Sequence, residues 1–319
     1  MASTQQLKGR IRSVKNTKQI TKAMELVAAS KMRRAQDAAG MSRDYKNLAA
    51  QILTRLRELT DVDAHPLYRQ RNVKTRLLVV VTSDRGLAGA YNSNILRKLT
   101  TELKEDKRGG VQSKLIVVGN QAANFAKKIK DIEAIGVYKN FPEKPTANDM
   151  RPILNTIIQK YRVGSLTEKE IAKEKAKIMK AQEIGFDVEE LTLDGAVDAV
   201  DVLFTDFKSS IVQEVKVERL LPVAFSDTII SDDLELAIFE PSPKVVLDQV
   251  TERLIEVQLH QAFLESQASE HSMRMMAMKS ATDNANDIID DLTLEFNTAR
   301  QAGITQELAE IVGGAEAIK

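Results

Sequence analysis

The sequence predicts an α/β protein: a long antiparallel coiled coil of N- and C-terminal helices plus a central α/β domain. Three observations carry this expectation. From Gly9 to Pro66 there is no proline and a single interior glycine, Gly40, so one uninterrupted helix is expected there. From Lys244 to Ala302 there is neither glycine nor proline. Between them, apolar runs such as "RLLVVVT", "KLIVVG" and "VDVLFTDF" alternate with helical segments, which is the pattern of a βαβ sheet. The buried strand, glycine turn and helix over 75–96 make that domain Rossmann-like. The expected organisation is an N-terminal coiled-coil helix over 1–65, the α/β domain over 70–241 and a C-terminal coiled-coil helix over 242–319. Within the α/β domain, 164–193 is dense in lysine and glutamate and is expected as a charged helical insertion on the surface.

The C-terminal segment has the stronger periodicity. Steps of four and three select Val250, Leu254, Val257, Gln261, Leu264, Ala268, His271, Met275, Met278, Thr282, Ala285, Ile289, Leu292, Phe296 and Ala299. An unbroken heptad seam requires a partner helix. The first segment supplies a less regular stripe, Leu7, Ile11, Val14, Ile20, Met24, Val27, Met32 and Ala35, continuing through Tyr45, Leu48, Ile52, Leu56 and Leu59. A rise of ~1.5 Å per residue makes 244–302 ~90 Å long, more than a sheet domain covers, so the partner is expected in the same chain. Charge is also segregated. Between Lys8 and Arg34 the bases face the single acid Glu25, whereas 283–295 holds Asp283, Asp287, Asp290, Asp291 and Glu295 and no base. These blocks are expected to flank the shared seam and fix its antiparallel orientation.

Composition removes several function classes. Lys+Arg 46 against Asp+Glu 45 gives no bulk attraction for polyanions, so nucleic acid is not an expected partner. The absence of cysteine excludes disulfides, thiolate metal sites and cysteine nucleophiles. No run of eighteen apolar residues and no apolar signal core near Met1 is present, so a soluble, unprocessed chain is expected.

The stretch "TRLLVVVTSDRGLAGAYNSNIL" has the order of a nucleotide site without its ligand groups. A P-loop needs lysine and a hydroxyl residue after its second glycine, and here Ala90 and Tyr91 follow Gly89. A dinucleotide turn needs three glycines and an acid at the end of the second strand, and here Gly119 and Asn120 end it. Ser83 and Asp84 lie at the strand end with no base supplied for the hydroxyl. The three histidines, His65, His260 and His271, have no metal-ligand spacing, and His271 falls on the heptad seam as a register-setting polar residue. No catalytic, cofactor or metal residue is expected.

Five stretches, "IRSVKNTKQITKAMELVAASKMRRAQ", "SDRGLAGAYN", "ERLLP", "LESQASEHSMRMMAMKSATDNAND" and "NTARQAGITQELAEIVGGAEAI", together resemble the γ subunit of F-type ATP synthases. The resemblance implies a central rotor shaft standing in a ring of α and β subunits, with its sheet domain beside the ε subunit and the membrane c-ring. It implies no cofactor, no catalytic group of its own, and a peripheral position on the cytoplasmic face of a bacterial membrane. Carried over residue by residue, it implies subunit contacts at Met24, Arg85, Arg300, Gln301 and Thr305, with Met24 near Arg300 and Gln301. That proximity would make paired residue numbers sum to ~325 and bring Arg34 beside Asp291. Ala88 stands where the family commonly has cysteine, a small-for-small exchange, and the lack of any cysteine excludes the redox control of photosynthetic members. A nucleotide-dependent enzyme using the 75–96 turn and a stand-alone coiled-coil adaptor are the competing readings.

Overall fold

The computed structural model describes residues 4–62, 65–129, 132–165, 196–224 and 237–317. From residue 166 onward, the charged segment expected at 164–193 lies outside them. Two helices dominate the chain: α1, Thr4–Leu59, and α5, Pro243–Ala317. Neither is interrupted, as the absence of proline requires. Contacts divide the chain into two compact units. One comprises Met32–Gly86 and Ala90–Glu270, the other Met1–Lys31, Leu87–Gly89 and His271–Lys319.

The larger unit is built on a five-stranded sheet. Its strands are β1 (Thr75–Val81), β2 (Gln112–Val118), β3 (Glu133–Tyr138), β4 (Ala199–Phe207) and β5 (Gln213–Leu221), in the order β3-β2-β1-β4-β5. The first four run parallel and β5 pairs antiparallel to β4. Leu77 to Val81 are all buried because β1 is central and covered on both faces, the reason its sequence is a continuous aliphatic run. Leu77, Val79 and Val81 join a core with Leu53 and Leu56 of α1 and Ile255 and Phe263 of α5. The alternate residues Leu78 and Val80 point to the opposite face. Helix α2 (Tyr91–Arg108) buries Tyr91, Ile95 and Leu99, one face at helical spacing, and ends at Gly109 after the basic pair Lys107 and Arg108. Helix α3 is Asn120–Ala126. Helix α4 (Ala147–Ser165) opens on a capping box in which Thr146 donates to Asp149 Oδ2 from both its backbone nitrogen (2.7 Å) and its hydroxyl (2.6 Å).

A buried charge network joins α2 to the strand starts. Arg76 Nη1 lies 2.9 Å from Glu102 and 3.0 Å from Asp106, and its Nε bonds Asp201, which also accepts Arg219. Ser113 donates to Asp106 at 2.8 Å. Asp201 is 2% exposed, so its two guanidinium partners are what make an ionised carboxylate tolerable there.

In the smaller unit the coil has a register different from the one expected. Thr21 and Thr282 hydroxyls hydrogen-bond at 2.8 Å, so paired residue numbers sum to 303 rather than about 325. Met24 lies abreast of residue 279, and Gln301 is 22 positions further on, roughly 33 Å along the helix. The expected neighbourhood of Met24 with Arg300 and Gln301 is therefore wrong. So is Arg34 beside Asp291: Arg34 lies 3.7 Å from Glu143.

The α1 seam itself is a strict heptad, Leu7, Val14, Thr21, Ala28, Ala35, Ser42, Ala49 and Leu56, whose members are buried or half-buried. Ile20 and Val27, expected on it, are 60% and 54% exposed. The α5 seam matches expectation, with Ala268, His271, Met278, Thr282 and Ala285 buried. The charge blocks do not flank it. Asp283, Asp287, Asp290, Asp291 and Glu295 are exposed, on the face of α5 turned away from the seam, and none makes an ion pair with α1 among the described residues. Small seam residues, not charges, set the close approach of the two helices.

A cross-link reads this register directly. Cysteines replacing Thr21 and Thr282 are expected to form a disulfide within one chain under mild oxidation, whereas cysteines at 24 and 301 remain reduced. The opposite pattern, by non-reducing electrophoresis and peptide mapping, would restore the ~325 register.

Candidate functional site

The turn after β1 sits at the switch point of the sheet, between β1 and β4, where open α/β sheets bind ligands. Here the polar groups that would hold a phosphate are used by the chain itself. The first-turn N–H groups of α3 are all taken: Asn120 donates to Asp84 Oδ1 (3.0 Å), Gln121 to Ser83 O (3.2 Å) and Ala122 to Thr82 Oγ1 (2.9 Å). Asp84 Oδ2 accepts the Phe141 N–H at 3.1 Å. A carboxylate thus occupies the place of an anion, and the turn is a fastener between β1, α3 and the strand β3 exit.

Ser83 is similarly engaged. Its N–H bonds Asn92 Oδ1 at 3.1 Å and its hydroxyl donates to Arg85 O at 2.6 Å, so neither neighbour is a base that could activate it. The histidines have structural partners: His65 Nε2 lies 2.7 Å from Asp248, His260 Nε2 meets Pro145 O at 2.9 Å and His271 lies in the seam beside Arg274. Burial lowers the His65 pKa despite Asp248. Among the described residues, no cluster of three or more histidine, aspartate and glutamate side chains could hold a metal.

Arg85 is exposed, and Leu87 is 64% exposed with φ 61°, a left-handed conformation that costs a non-glycine residue energy. In the smaller unit, Gly89 (φ 54°) lies against α5, where an added Cβ would stand 3.5 Å from Met273 O and 3.7 Å from Ala277 Cβ. Ala88 is 2% exposed.

The end of α5 carries three more of the expected contact residues, Arg300, Gln301 and Thr305. In the 303 register Thr4, the first residue of α1, stands opposite residue 299, so among the described residues no part of α1 lies abreast of α5 from Arg300 to Ala317. At 100° per residue, Arg300, Gln301, Ile304, Thr305, Leu308, Ile311 and Val312 share one face. The apolar members are 47% (Ile304), 58% (Leu308), 68% (Ile311) and 62% (Val312) exposed. Thr305 donates its hydroxyl to Gln301 O at 3.0 Å. An exposed apolar stripe of this kind is the chemistry by which amphipathic helices meet other proteins. Met24 is half-buried on α1, away from this face. Sequence reasoning chose three polar members of the face but missed its apolar stripe, although 304, 308 and 311 follow the helical period.

Long terminal helices together with a five-stranded α/β sheet, whose turn after β1 spends its polar groups on the chain itself, define the class of this protein. The ATP synthase family model matches residues 3–318. The ATP synthase gamma chain of Heliobacterium modesticaldum (strain ATCC 51547 / Ice1) is 39% identical over 328 residues, covering all of both chains. Those of Acidithiobacillus ferrooxidans (strain ATCC 53993 / BNL-5-31) and Glaesserella parasuis serovar 5 (strain SH0165) are 38% and 36% identical, again over all of both chains. This chain belongs to the ATP synthase gamma chain family. Its fold is similar to a chain of the Euglena gracilis mitochondrial ATP synthase in rotational state 3 (TM-score 0.58, 15% identity, covering 99% of this chain and 94% of that one). It is also similar to a chain of the Tetrahymena thermophila mitochondrial ATP synthase central stalk and c-ring (TM-score 0.52, 22% identity, 82% and 99% covered).

Proposed function

We propose that this chain is the central rotating stalk of an F-type ATP synthase, coupling ion flow through the membrane c-ring to ATP synthesis and hydrolysis at the α/β ring. The observation that carries the reading is the full-length match to gamma chains, at 36–39% identity, of a chain whose α5 ends in an unpaired helix with an exposed apolar face. A shaft turning against changing neighbours needs stiffness along its axis and shallow, weakly directional contacts at its surface. Uninterrupted helices supply the first, and aliphatic side chains the second.

In this reading the chain is non-catalytic, and the ATP sites belong to its partners. The terminal helices of 1–65 and 242–319 form the shaft, and 70–241 forms the foot domain beside the ε subunit and the c-ring. Met24, Arg85, Arg300, Gln301 and Thr305 are contacts to the surrounding subunits. Membrane association is peripheral, through the complex, on the cytoplasmic face. Among the described residues no helix is long and apolar enough to cross a membrane, which suits a peripheral position. Nucleotide binding by the 75–96 turn is disfavoured by Asp84, whose charge repels phosphate where the α3 donors are already bonded.

Affinity purification of the tagged chain from its native membranes tests the reading. Recovery of α, β, ε and c subunits in one ATP-hydrolysing complex is expected; isolation of the chain alone or with unrelated proteins would favour an adaptor. Met24 gives a finer test. A lysine there adds an ammonium able to make charge-assisted bonds of about 1.5–3 kcal/mol in some rotor positions and not others. Met24→Lys is expected to leave assembly intact and to lower proton pumping more than hydrolysis in inverted vesicles. A strictly proportional fall would remove Met24 from the moving contact.

A further inference from the structure

The larger unit contains a cleft of about 290 Å³ between the two long helices and the β4–β5 hairpin. From α1 it is lined by Arg43, from α5 by Gln258, Gln261 and Glu265, from β4 and its following loop by Asp206 and Lys208, and from β5 by Lys216 and Glu218. Glu265 is the point at which these elements meet. Its Oε1 accepts Arg43 Nε (3.1 Å), Arg43 Nη2 (2.9 Å) and Gln261 Nε2 (2.7 Å). The Asp206 carboxyl lines the same cleft. Asp206 is paired on its other side with Lys208 at 2.5 Å. Lys216 is paired with Glu218 at 3.4 Å.

We propose that Asp206 and Glu265 share one proton and thereby form a latch that fastens the β4–β5 hairpin to α1 and α5, and that loss of this proton loosens it. Two acids that line one cleft can hydrogen-bond each other only through a proton between them, since two carboxylates have only acceptors to offer. Both are withdrawn from water, at 6% and 7% exposure, so ionising both is costly. Gln261 is 4% exposed and its Oε1 has no hydrogen-bond partner, so the cleft has an acceptor to spare.

The titration of each acid follows from these contacts. Burial, and the negative charge of Asp206, push the Glu265 carboxyl above its ordinary value against the opposing bonds from Gln261 and Arg43. For Asp206, burial acts upward but the bonds from Lys208 and from the Glu265 proton overcome it and hold the group low. The proton therefore rests on Glu265 and points at Asp206. Because the folded pKa of Glu265 lies above the unfolded one, the latch stabilises fully below the unfolded value. Its contribution falls as pH rises through the folded value. Lowered Asp206 has the opposite sense, contributing above the ordinary aspartate value and losing that contribution as pH falls through its folded one. This inference concerns the chain's own fold and does not depend on the rotor reading.

The test is hydrogen exchange on the full-length chain across a pH series, corrected for intrinsic rates. The protection of residues 199–221 is compared with that of β2 in the same sample. The expected ratio falls as pH rises through the Glu265 titration, by about tenfold for each unit by which the folded pKa exceeds the unfolded one. Glu265→Gln supplies a permanent N–H donor to Asp206, and its ratio is expected to stay flat at the low-pH level. Difference infrared spectroscopy on the unmodified chain reads the proton directly, as a protonated-carboxyl band that persists above the ordinary glutamate range. A wild-type ratio that is flat with pH, or the absence of that band, would overturn the latch in favour of an ionised pair held by Arg43 and Lys208.

Discussion

Gly119→Ala is expected to be the most destabilising single-methyl change among the described residues. Gly119 follows β2 with φ 91°, a conformation that L side chains rarely adopt. An added Cβ would stand 2.3 Å from Thr82 O and 2.8 Å from Thr82 C and Oγ1, so there is no flexible neighbour that can yield. Thr82 is itself held by its N–H and hydroxyl to Val118 O, and it caps α3 through Ala122. Relief of the clash must separate β1 from β2 at this point and break those bonds. Backbone strain of about 1–3 kcal/mol combines with the lost hydrogen bonds, so a total of about 4 kcal/mol or more is expected. Urea denaturation of the full chain measures it. A loss of under about 1 kcal/mol would mean that the turn is soft and not the fastener described above.

The second large effect is expected at the α5 tip, and it separates binding from folding. Leu308 and Ile311 are more than half exposed, so replacing both with lysine should change the stability of the chain by no more than about 0.5 kcal/mol per site. If the ring covers this face, each substitution forfeits about 1.5–3 kcal/mol of apolar burial, and desolvating the ammonium adds to the cost. Two such changes correspond to association weaker by about a hundredfold or more. The expected result is an unchanged urea midpoint for the isolated chain, with poor retention of α and β subunits during purification. Full retention would mean that the face remains in water in the assembly, and the tip would then lose its role as a bearing surface.

Much of this architecture was legible in the sequence because its signals are local. The uninterrupted helices, the aliphatic parallel strands and the α5 seam each follow from residue type and spacing alone. The α1 seam was misread for a definite reason. Of its middle members only Ala35 lies on the expected stripe, whereas Thr21, Ala28 and Ser42 are too small or too polar to stand out beside Ile20 and Val27, which face outward. A strict step of seven from Leu7 would have found them. The register error followed from placing Met24 near Gln301, a distance relation between chain ends that periodicity does not contain. The charge blocks were assigned to the seam because complementary signs suggest a pair, whereas geometry turns the acids of α5 away. At the turn after β1, missing ligand groups were visible in the sequence. What fills their place was not, because Asp84 meets Asn120 and Phe141 only after the sheet has formed.

The central claim, that this chain turns as a shaft inside a catalytic ring, is tested most directly by watching it move. With the α/β ring immobilised on a surface and a probe attached to an exposed cysteine introduced on the foot domain, at Ile211 in the β4–β5 turn, ATP is added and the probe is followed by single-molecule microscopy. The account predicts rotation in one direction, with pauses that lengthen as ATP is diluted. Steady ATP hydrolysis with a stationary or randomly fluctuating probe would contradict it.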